Sequence, residues 1–368
     1  MLDLVIGAGQ GGSRLAKVLS DTYEIEARYL NLAEVDFRNF DVPHASKFVL
    51  DEGGTGRDPE LGESFVRRHR DDLYAFLEDS ITVNRARHVA LCVGGGGGSG
   101  TGFLFPTLEY LIGKEKEVLL FYTLPQRREG LPAQPNAIKA LNRMIETYVG
   151  RGIVKRDQIA PILIDNDYCQ ERYGQTSDED EDYWSRVNRG VAMSLRRFYA
   201  LTSFEANKAG IDMAAGYNSL DYREFMRILF FKDGFLDVRE INFSAMSEVA
   251  NLSGAIKTSS LLNGSMDINT TKAYIVSVAL PVAWKGQSGI SDMLNVIFDS
   301  VAKMTRTPFV LRSSYYSKKL KTAKVSLLLA GMSKSHGLDK HVKSAVKNVE
   351  KFRSKGDVAS LNLSGLDF

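Results

Sequence analysis

Two turns in this chain are built almost entirely from glycine, and a backbone without side chains can be approached closely by an anion. They are Gly7-Ala8-Gly9-Gln10-Gly11-Gly12 and Gly94-Gly95-Gly96-Gly97-Gly98-Ser99-Gly100-Thr101-Gly102. Glycine lets successive backbone N–H groups crowd round a phosphate, and a helix that starts there adds its positive end. In the second turn eight of nine residues are Gly or Ser, an entropic cost that a plain linker has no reason to carry. Its neighbours also argue against a linker, because an apolar strand precedes it and a helix follows at once. No Gly-Lys-[Ser/Thr] stands at Walker spacing, so it is a phosphate loop of another kind. The first turn, Gly7-x-Gly9-x-x-Gly12, fits a dinucleotide fingerprint and also a bare tight turn. A side chain placed at Gly98 or Gly100 is expected to fill phosphate space while leaving the fold largely intact.

Two further pairs have spacing that could do chemistry. Trp184 and Asn188 are four apart on a helical stretch and project from one face. The indole can stack on a purine and the amide can bind its edge; alternatively the indole fills the core and the amide faces water. Asp221 and Glu224 are three apart at the start of a helix, where negative charge is favourable in any protein.

The elements that would position these residues alternate as in a parallel sheet covered by helices, a Rossmann-like α/β arrangement. Strands are expected at Leu2–Ile6, Glu26–Leu32, Phe48–Leu50, His88–Val93, Val118–Leu124 and Ile159–Ile164. Helices are expected after the first glycine turn, over Phe65–Ile81, and from the second turn through Leu111. The like-charge run Asp178–Asp182 reads as a solvated loop before a long helix, Tyr183–Asn207. Past Gly234 the pattern changes to a smaller α+β domain. Its strands are Glu240–Phe243, Lys272–Val282, Pro308–Ser314 and Lys324–Gly331, around a helix at Ile290–Met304. This divides the chain into 1–182, the central helix 183–210, 211–335, a C-terminal helix 336–357 and a tail 358–368.

Composition narrows the function. The chain has 368 residues, 44% hydrophobic and 25% charged, with 47 Lys and Arg against 45 Asp and Glu. A net charge of +2 gives no case for a nucleic-acid coat or a disordered tail protein. Cys92 and Cys169 cannot make a disulfide framework and read as reduced, buried thiols. No window reaches the ~18 uncharged apolar residues of a membrane span, and the first residues lack a signal-peptide pattern. A soluble, intracellular protein is expected. From Lys334 to Lys355, seven Lys and Arg stand against Asp339 and Glu350, beside an apolar stripe of Leu338, Val342, Ala345, Val349 and Phe352. That helix either packs on the body with a solvated basic side or presents a partner surface. The final Leu361–Phe368 could dock as an apolar tip.

The motifs taken together resemble the tubulin/FtsZ superfamily. Gly94–Gly102 is similar to its glycine-rich signature, and Gly9-Gln10-Gly11-Gly12 to its first phosphate loop. The segment Asp51–Gly62, with Gly54, Thr55 and Gly56, resembles the loop that approaches the γ-phosphate. Pro125–Gly130 resembles the ribose-side loop, with Glu129 at the acidic position, and Ile164-Asp165-Asn166 the segment whose Asn reads guanine. Trp184 and Asn188 match an aromatic and an amide at the base. The resemblance implies a polymerising GTPase of the TubZ plasmid or phage group, with GTP/GDP and Mg2+ as cofactors and the bacterial host cytoplasm as location. It implies that Gly95, Gly96, Gly97, Gly98, Ser99, Gly100, Thr101 and Gly102 cradle phosphate. It also implies that Asp221 and Glu224 complete the site of the neighbouring subunit, so head-to-tail contact is needed for hydrolysis. The partners implied are further copies of the chain and a DNA-bound adaptor at the C-terminal helix and tail, with no sequence-specific DNA contact and no membrane. No metal-ligand set is assigned. Two departures separate the chain from cell-division FtsZ: Asn31–Asp36 lacks the acidic residue at its third position, where Glu34 or Asp36 would have to substitute, and Ala133 replaces an Arg. The rival readings are an FtsZ-like division protein, a Rossmann NAD(P) oxidoreductase using Gly7–Gly12, and a nucleotide-binding regulator that does not polymerise.

Overall fold

The computed structural model describes residues 2–38, 40–50, 53–79, 85–129, 131–149, 159–173, 183–202, 212–213, 219–231, 234–264, 266–333 and 336–353. The acidic run 178–182, the long helix beyond 202 and the tail lie outside the described residues. The chain divides into two units, Met1–Ala192 with Gly337–Phe368, and Met193–His336.

Apolar runs without alternation make strands buried on both faces, the mark of a parallel sheet under helices. The first unit begins β1 (Leu4–Ala8), α1 (Gly9–Tyr23), β2 (Glu26–Asn31), β3 (Lys47–Val49), α2 (Pro59–Arg68) and α3 (Arg70–Asp79). It continues β4 (His88–Gly94), α4 (Gly98–Gly113), β5 (Glu117–Leu124), α5 (Ala133–Met144), β6 (Ile159–Asp165), α6 (Asn166–Tyr173) and α7 (Tyr183–Ala200), whose residues from Met193 on fall in the second unit. The six strands pair in parallel in the order β3-β2-β1-β4-β5-β6. Strands β1 and β4 are neighbours with Ala8 opposite Val93, so both glycine turns leave the same sheet edge side by side.

Three local differences from the sequence reading have physical causes. The helix expected over Phe65–Ile81 is two helices, broken at His69, whose φ of −105° and ψ of 27° end α2. The apolar stripe runs across the break because Val66, Leu73 and Leu77 are all buried. The first of the two begins earlier, at Asp58-Pro59: the Asp58 carboxylate accepts from the N–H groups of Glu60 and Leu61, and proline is tolerated at the first helical position. Helix α5 carries no clear apolar period in the sequence, because it buries the polar side chains of Gln134, Asn136 and Asn142.

The second unit holds β7 (Asp212–Met213), α8 (Tyr222–Leu229), β8 (Phe235–Phe243), α9 (Leu252–Thr258), β9 (Ala273–Pro281), α10 (Ile290–Thr305), β10 (Val310–Ser317) and β11 (Ala323–Met332). Its sheet runs β8-β11-β9-β10-β7; β9 and β10 are parallel, and the other pairs are antiparallel. The last helix, α11 (His336–Arg353), belongs to the first unit from Gly337. It buries Leu338, His341, Ala345 and Val349 and leaves Lys340, Lys343 and Lys347 exposed. Among the described residues no helix is long and apolar enough to cross a membrane.

One buried ion pair anchors the second unit. Arg239 donates from Nε to Asp237 Oδ2 at 2.8 Å, and its two terminal nitrogens reach the carbonyls of Ile256 at 2.8 Å and Met266 at 2.7 Å. Ser260 Oγ donates to the other oxygen of Asp237 at 2.6 Å. The network ties α9 and the chain after it to β8. Breaking such a pair from one side strands a charge, so Arg239→Ala is expected to lose about 3–5 kcal/mol in denaturant unfolding. A loss below about 1 kcal/mol would mean that the Asp237 carboxylate finds other donors.

Candidate functional site

A cavity of about 540 Å³ opens at the carboxyl ends of β1, β4, β5 and β6, where Ala8, Gly94, Thr123 and Ile164 line it. Its size suits a small ligand, and the end of the sheet is where parallel folds bind theirs. The two glycine turns form one wall and touch each other: a Cβ on Gly9 would lie 2.7 Å from the backbone nitrogen of Gly100. Helices α1 and α4 therefore start next to one another. Their N-cap residues, Ala8 and Gly97, provide no side-chain cap. The first-turn N–H groups of two helices are thus left for a ligand, and that is an anion site. Gly11 and Gly97 face open space. The cradle is stiffened from behind by Thr101, whose hydroxyl donates to the Gly95 carbonyl at 3.0 Å, and by the Gly95 N–H bonded to the Thr123 carbonyl at 2.9 Å.

Most of the residues singled out from sequence line this cavity: Gly9, Gln10, Gly11, Gly54, Thr55, Gly95, Gly96, Gly97, Gly98, Ser99, Gly100, Glu129, Asn166, Trp184 and Asn188. Four do not. Gly12 is a packing glycine, since a Cβ there would lie 2.2 Å from the Cys92 carbonyl oxygen of β4. Gly102 packs α4 against α2, with a Cβ position 2.6 Å from the Gly62 carbonyl carbon. Thr101 acts from behind, as described, and Gly56 turns the chain at φ 57°. The expectation for Gly98 and Gly100 also needs correcting. A Cβ on Gly98 would fall 1.7 Å from Thr55 Oγ1 and 2.8 Å from the Asp58 carbonyl oxygen, and one on Gly100 would fall 2.6 Å from the Gly94 carbonyl oxygen. These side chains would push into protein before reaching a ligand.

At the other end, Trp184, Val187 and Asn188 come from one face of α7, and Asn166 from the first turn of α6. Asp165 fixes that turn. Its Oδ1 accepts from the N–H groups of Asp167 at 3.0 Å and Tyr168 at 3.3 Å, and lies 3.0 Å from His341 Nε2 of α11. Burial alone would push the Asp165 carboxyl up, but the hydrogen bond and charge of His341, with the two N–H groups, hold it below the ordinary carboxylate range. Asp165, Asp167 and His341 also have metal-ligand chemistry within 4.8 Å of one another. One oxygen of each carboxylate is already engaged, Asp165 Oδ1 as above and Asp167 Oδ2 by Arg127 Nε at 2.7 Å. Glu129 accepts from the Gln126 N–H at 2.9 Å, which shapes the loop on this side.

Sequence reasoning missed two cations. Arg14 and Arg57 line the cavity, and both are exposed. A lone Arg, whether on a helix like Arg14 or in a turn like Arg57, carries no spacing signal, so only the fold could place them. Asp36, raised from sequence as a substitute acid, also lines the cavity, beside Val35; Glu34 does not. Asp221 and Glu224 lie in the second unit, both exposed. Asp221 is the N-cap of α8, and its Oδ1 accepts from the Glu224 N–H at 2.9 Å.

Solved structures with this architecture include protofilaments. The chain superposes on a GTPγS-form protofilament of TubZ from Bacillus thuringiensis serovar israelensis with a TM-score of 0.79, over 98% of this chain and 95% of that one, at 17% identity. It also superposes on the GTPγS-bound protofilament of CetZ2 from Haloferax volcanii, with a TM-score of 0.70 over 96% of this chain and 100% of that one, at 20% identity. This is the tubulin-like fold of TubZ and CetZ. In sequence, the tubulin-like protein TubZ of Bacillus cereus is 24% identical over 213 residues, 54% of this chain and 47% of the relative. The chain thus spans about half the length of the curated relatives it matches. No protein-family model matches it.

The tubulin-like cradle separates two kinds of glycine by experiment. Gly97→Leu is expected to lower binding of a fluorescent guanosine triphosphate at least about tenfold while leaving the unfolding midpoint unchanged, because the new side chain enters the cavity alone. Gly98→Ala is expected to cost about 1–3 kcal/mol of stability, because the methyl meets Thr55. Normal binding by Gly97→Leu would place the phosphates elsewhere.

Proposed function

We propose that this chain is a GTP-binding and GTP-hydrolysing protein that assembles head to tail into filaments, used to segregate or position plasmid or phage DNA. One observation carries the reading: two uncapped helix N-termini meet at one end of a cavity whose other end holds two amides and an indole. A triphosphate fits the first end and a guanine the second, with Glu129 on the ribose side. A dinucleotide-binding oxidoreductase would use the first glycine turn alone, whereas here both turns share one wall.

Magnesium would accompany the phosphates and supply charge neutralisation; among the lining carboxylates Asp36 is the candidate to hold it, because Glu129 is taken up in its own loop. Asp221 and Glu224 would act on the nucleotide of the next subunit, positioning the attacking water. A site completed only by a neighbour couples hydrolysis to a heterologous contact, and such contacts propagate as filaments. The exposed lysines of α11 would meet a DNA-bound adaptor or the next subunit, without sequence-specific contact to DNA, in the host cytoplasm.

Two measurements test this. Asn166 and Asn188 can together pair with a guanine edge, so competition binding should favour GTP over ATP by at least about a hundredfold. Equal affinity would remove the base assignment. For hydrolysis, Asp221→Asn is the cleaner variant, because an amide oxygen keeps the helix cap that Ala would lose at a cost of about 1 kcal/mol. It should bind GTP like wild type yet turn it over at least about a hundredfold more slowly, while the wild-type rate per subunit rises with protein concentration. A wild-type rate independent of concentration would mean that the site is complete within one chain.

A further inference from the structure

His341 stands where the C-terminal helix would be expected to carry an apolar residue. Leu338, His341, Ala345 and Val349 follow one another at helical spacing along α11 and are all buried, so the imidazole lies within the stripe that packs on the first unit. A polar ring in such a stripe costs free energy unless it is partnered. Its Nε2 lies 3.0 Å from Asp165 Oδ1 and 3.9 Å from Asp167 Oδ2. An ionised carboxylate can only accept, so Nε2 carries the proton and donates it to Asp165.

Those two carboxylates belong to the segment that serves the base and sugar ends of the cavity. Asp165 Oδ1 also accepts from the Asp167 and Tyr168 N–H groups, which fixes the first turn of α6 and with it Asn166. Asp167 Oδ2 accepts from the backbone N–H of Arg127 at 3.0 Å and from its Nε at 2.7 Å, and Gln126 Nε2 donates to Gln170 Oε1. Glu129 of that same loop lines the cavity, as does Asn166. His341 does not line it, so anything His341 does for a ligand passes through α6.

Resting on the reading of the cavity as a guanine-nucleotide site, we propose that His341 is a positioning residue for base recognition. Its N–H holds the Asp165 carboxylate at the first turn of α6, and the held turn sets the direction from which the Asn166 amide meets the base. An amide carries an acceptor and a donor side by side. Free to turn, it satisfies guanine or adenine; held in one orientation, it discriminates between them. Docking of α11 and selection of the base are therefore coupled.

The test uses the full chain and titration calorimetry with GTPγS and ATPγS. His341→Gln keeps an N–H donor where Nε2 stands, His341→Phe keeps the ring volume without the donor, and His341→Ala removes both. The Gln variant should keep the wild-type selectivity within about threefold. The Phe and Ala variants should lose at least about tenfold of it through GTPγS, with ATPγS affinity changed less than about twofold. In an Asn166→Ala background, His341→Phe should change the ratio less than about twofold, because the residue it acts through is gone. Equal weakening of both nucleotides, an unchanged ratio, no rescue by Gln, or a further full loss in the Asn166→Ala background makes His341 a packing residue and overturns the proposal. Failure of both donor-free variants to fold does the same. A wild-type chain that binds GTPγS and ATPγS equally, or binds neither, overturns the guanine reading itself and this inference with it.

Discussion

Backbone touches backbone where the two glycine turns meet, and the arrangement of the first unit depends on that contact. Gly9 lies against Gly100, Gly12 against the Cys92 carbonyl of β4, and Gly62 against the Gly98 carbonyl. None of these approaches tolerates a side chain. They bring α1, α2 and α4 close enough for two helix starts to share one cavity, which the parallel order of β1 beside β4 makes geometrically available. A single helix N-terminus is a weak anion site; two, left uncapped and converging, provide several N–H donors with no reorganisation cost.

The chemistry of the cavity is graded along its length. One end offers neutral donors and the guanidinium groups of Arg14 and Arg57; the other offers the amides of Asn166 and Asn188 and the indole of Trp184. The amide end is held by a second constraint, the capping of α6 by Asp165 with His341 behind it. Because His341 belongs to α11, the C-terminal helix is part of the support of Asn166 rather than an appendage. The basic outer face of α11 keeps its lysines exposed even so. In the second unit the Asp237–Arg239 network plays the corresponding structural part, fastening α9 to the sheet that follows α8 and its capping Asp221.

What could be read from the sequence was whatever repeats or clusters along the chain. The glycine runs, the apolar strands and the i, i+4 pair Trp184 and Asn188 all carry such a signal, although β8 begins at Phe235, five residues before the expected Glu240. The break at His69 did not show, because Val66, Leu73 and Leu77 continue one apolar stripe across it. Helix α5 was hidden by its buried Gln134, Asn136 and Asn142, whose polar side chains interrupt the stripe. At Gly98 the sequence shows that a side chain is missing, but not that a Cβ there would meet Thr55 rather than the cavity that Gly98 lines. Arg57 lies at the far limit of such reading. Its place in the cavity follows from a left-handed turn and a hydrogen bond to Asn136, neither of which leaves a pattern in the chain.

The central claim is that the state of a guanine nucleotide in this cavity governs self-association. Sedimentation of the purified chain with GTPγS, GDP, ATPγS or no nucleotide tests it most directly. The account predicts polymer in the pellet with GTPγS, little with GDP and none with ATPγS or without nucleotide. Pelleting that is the same in all four conditions, or equal with ATPγS and GTPγS, would contradict it.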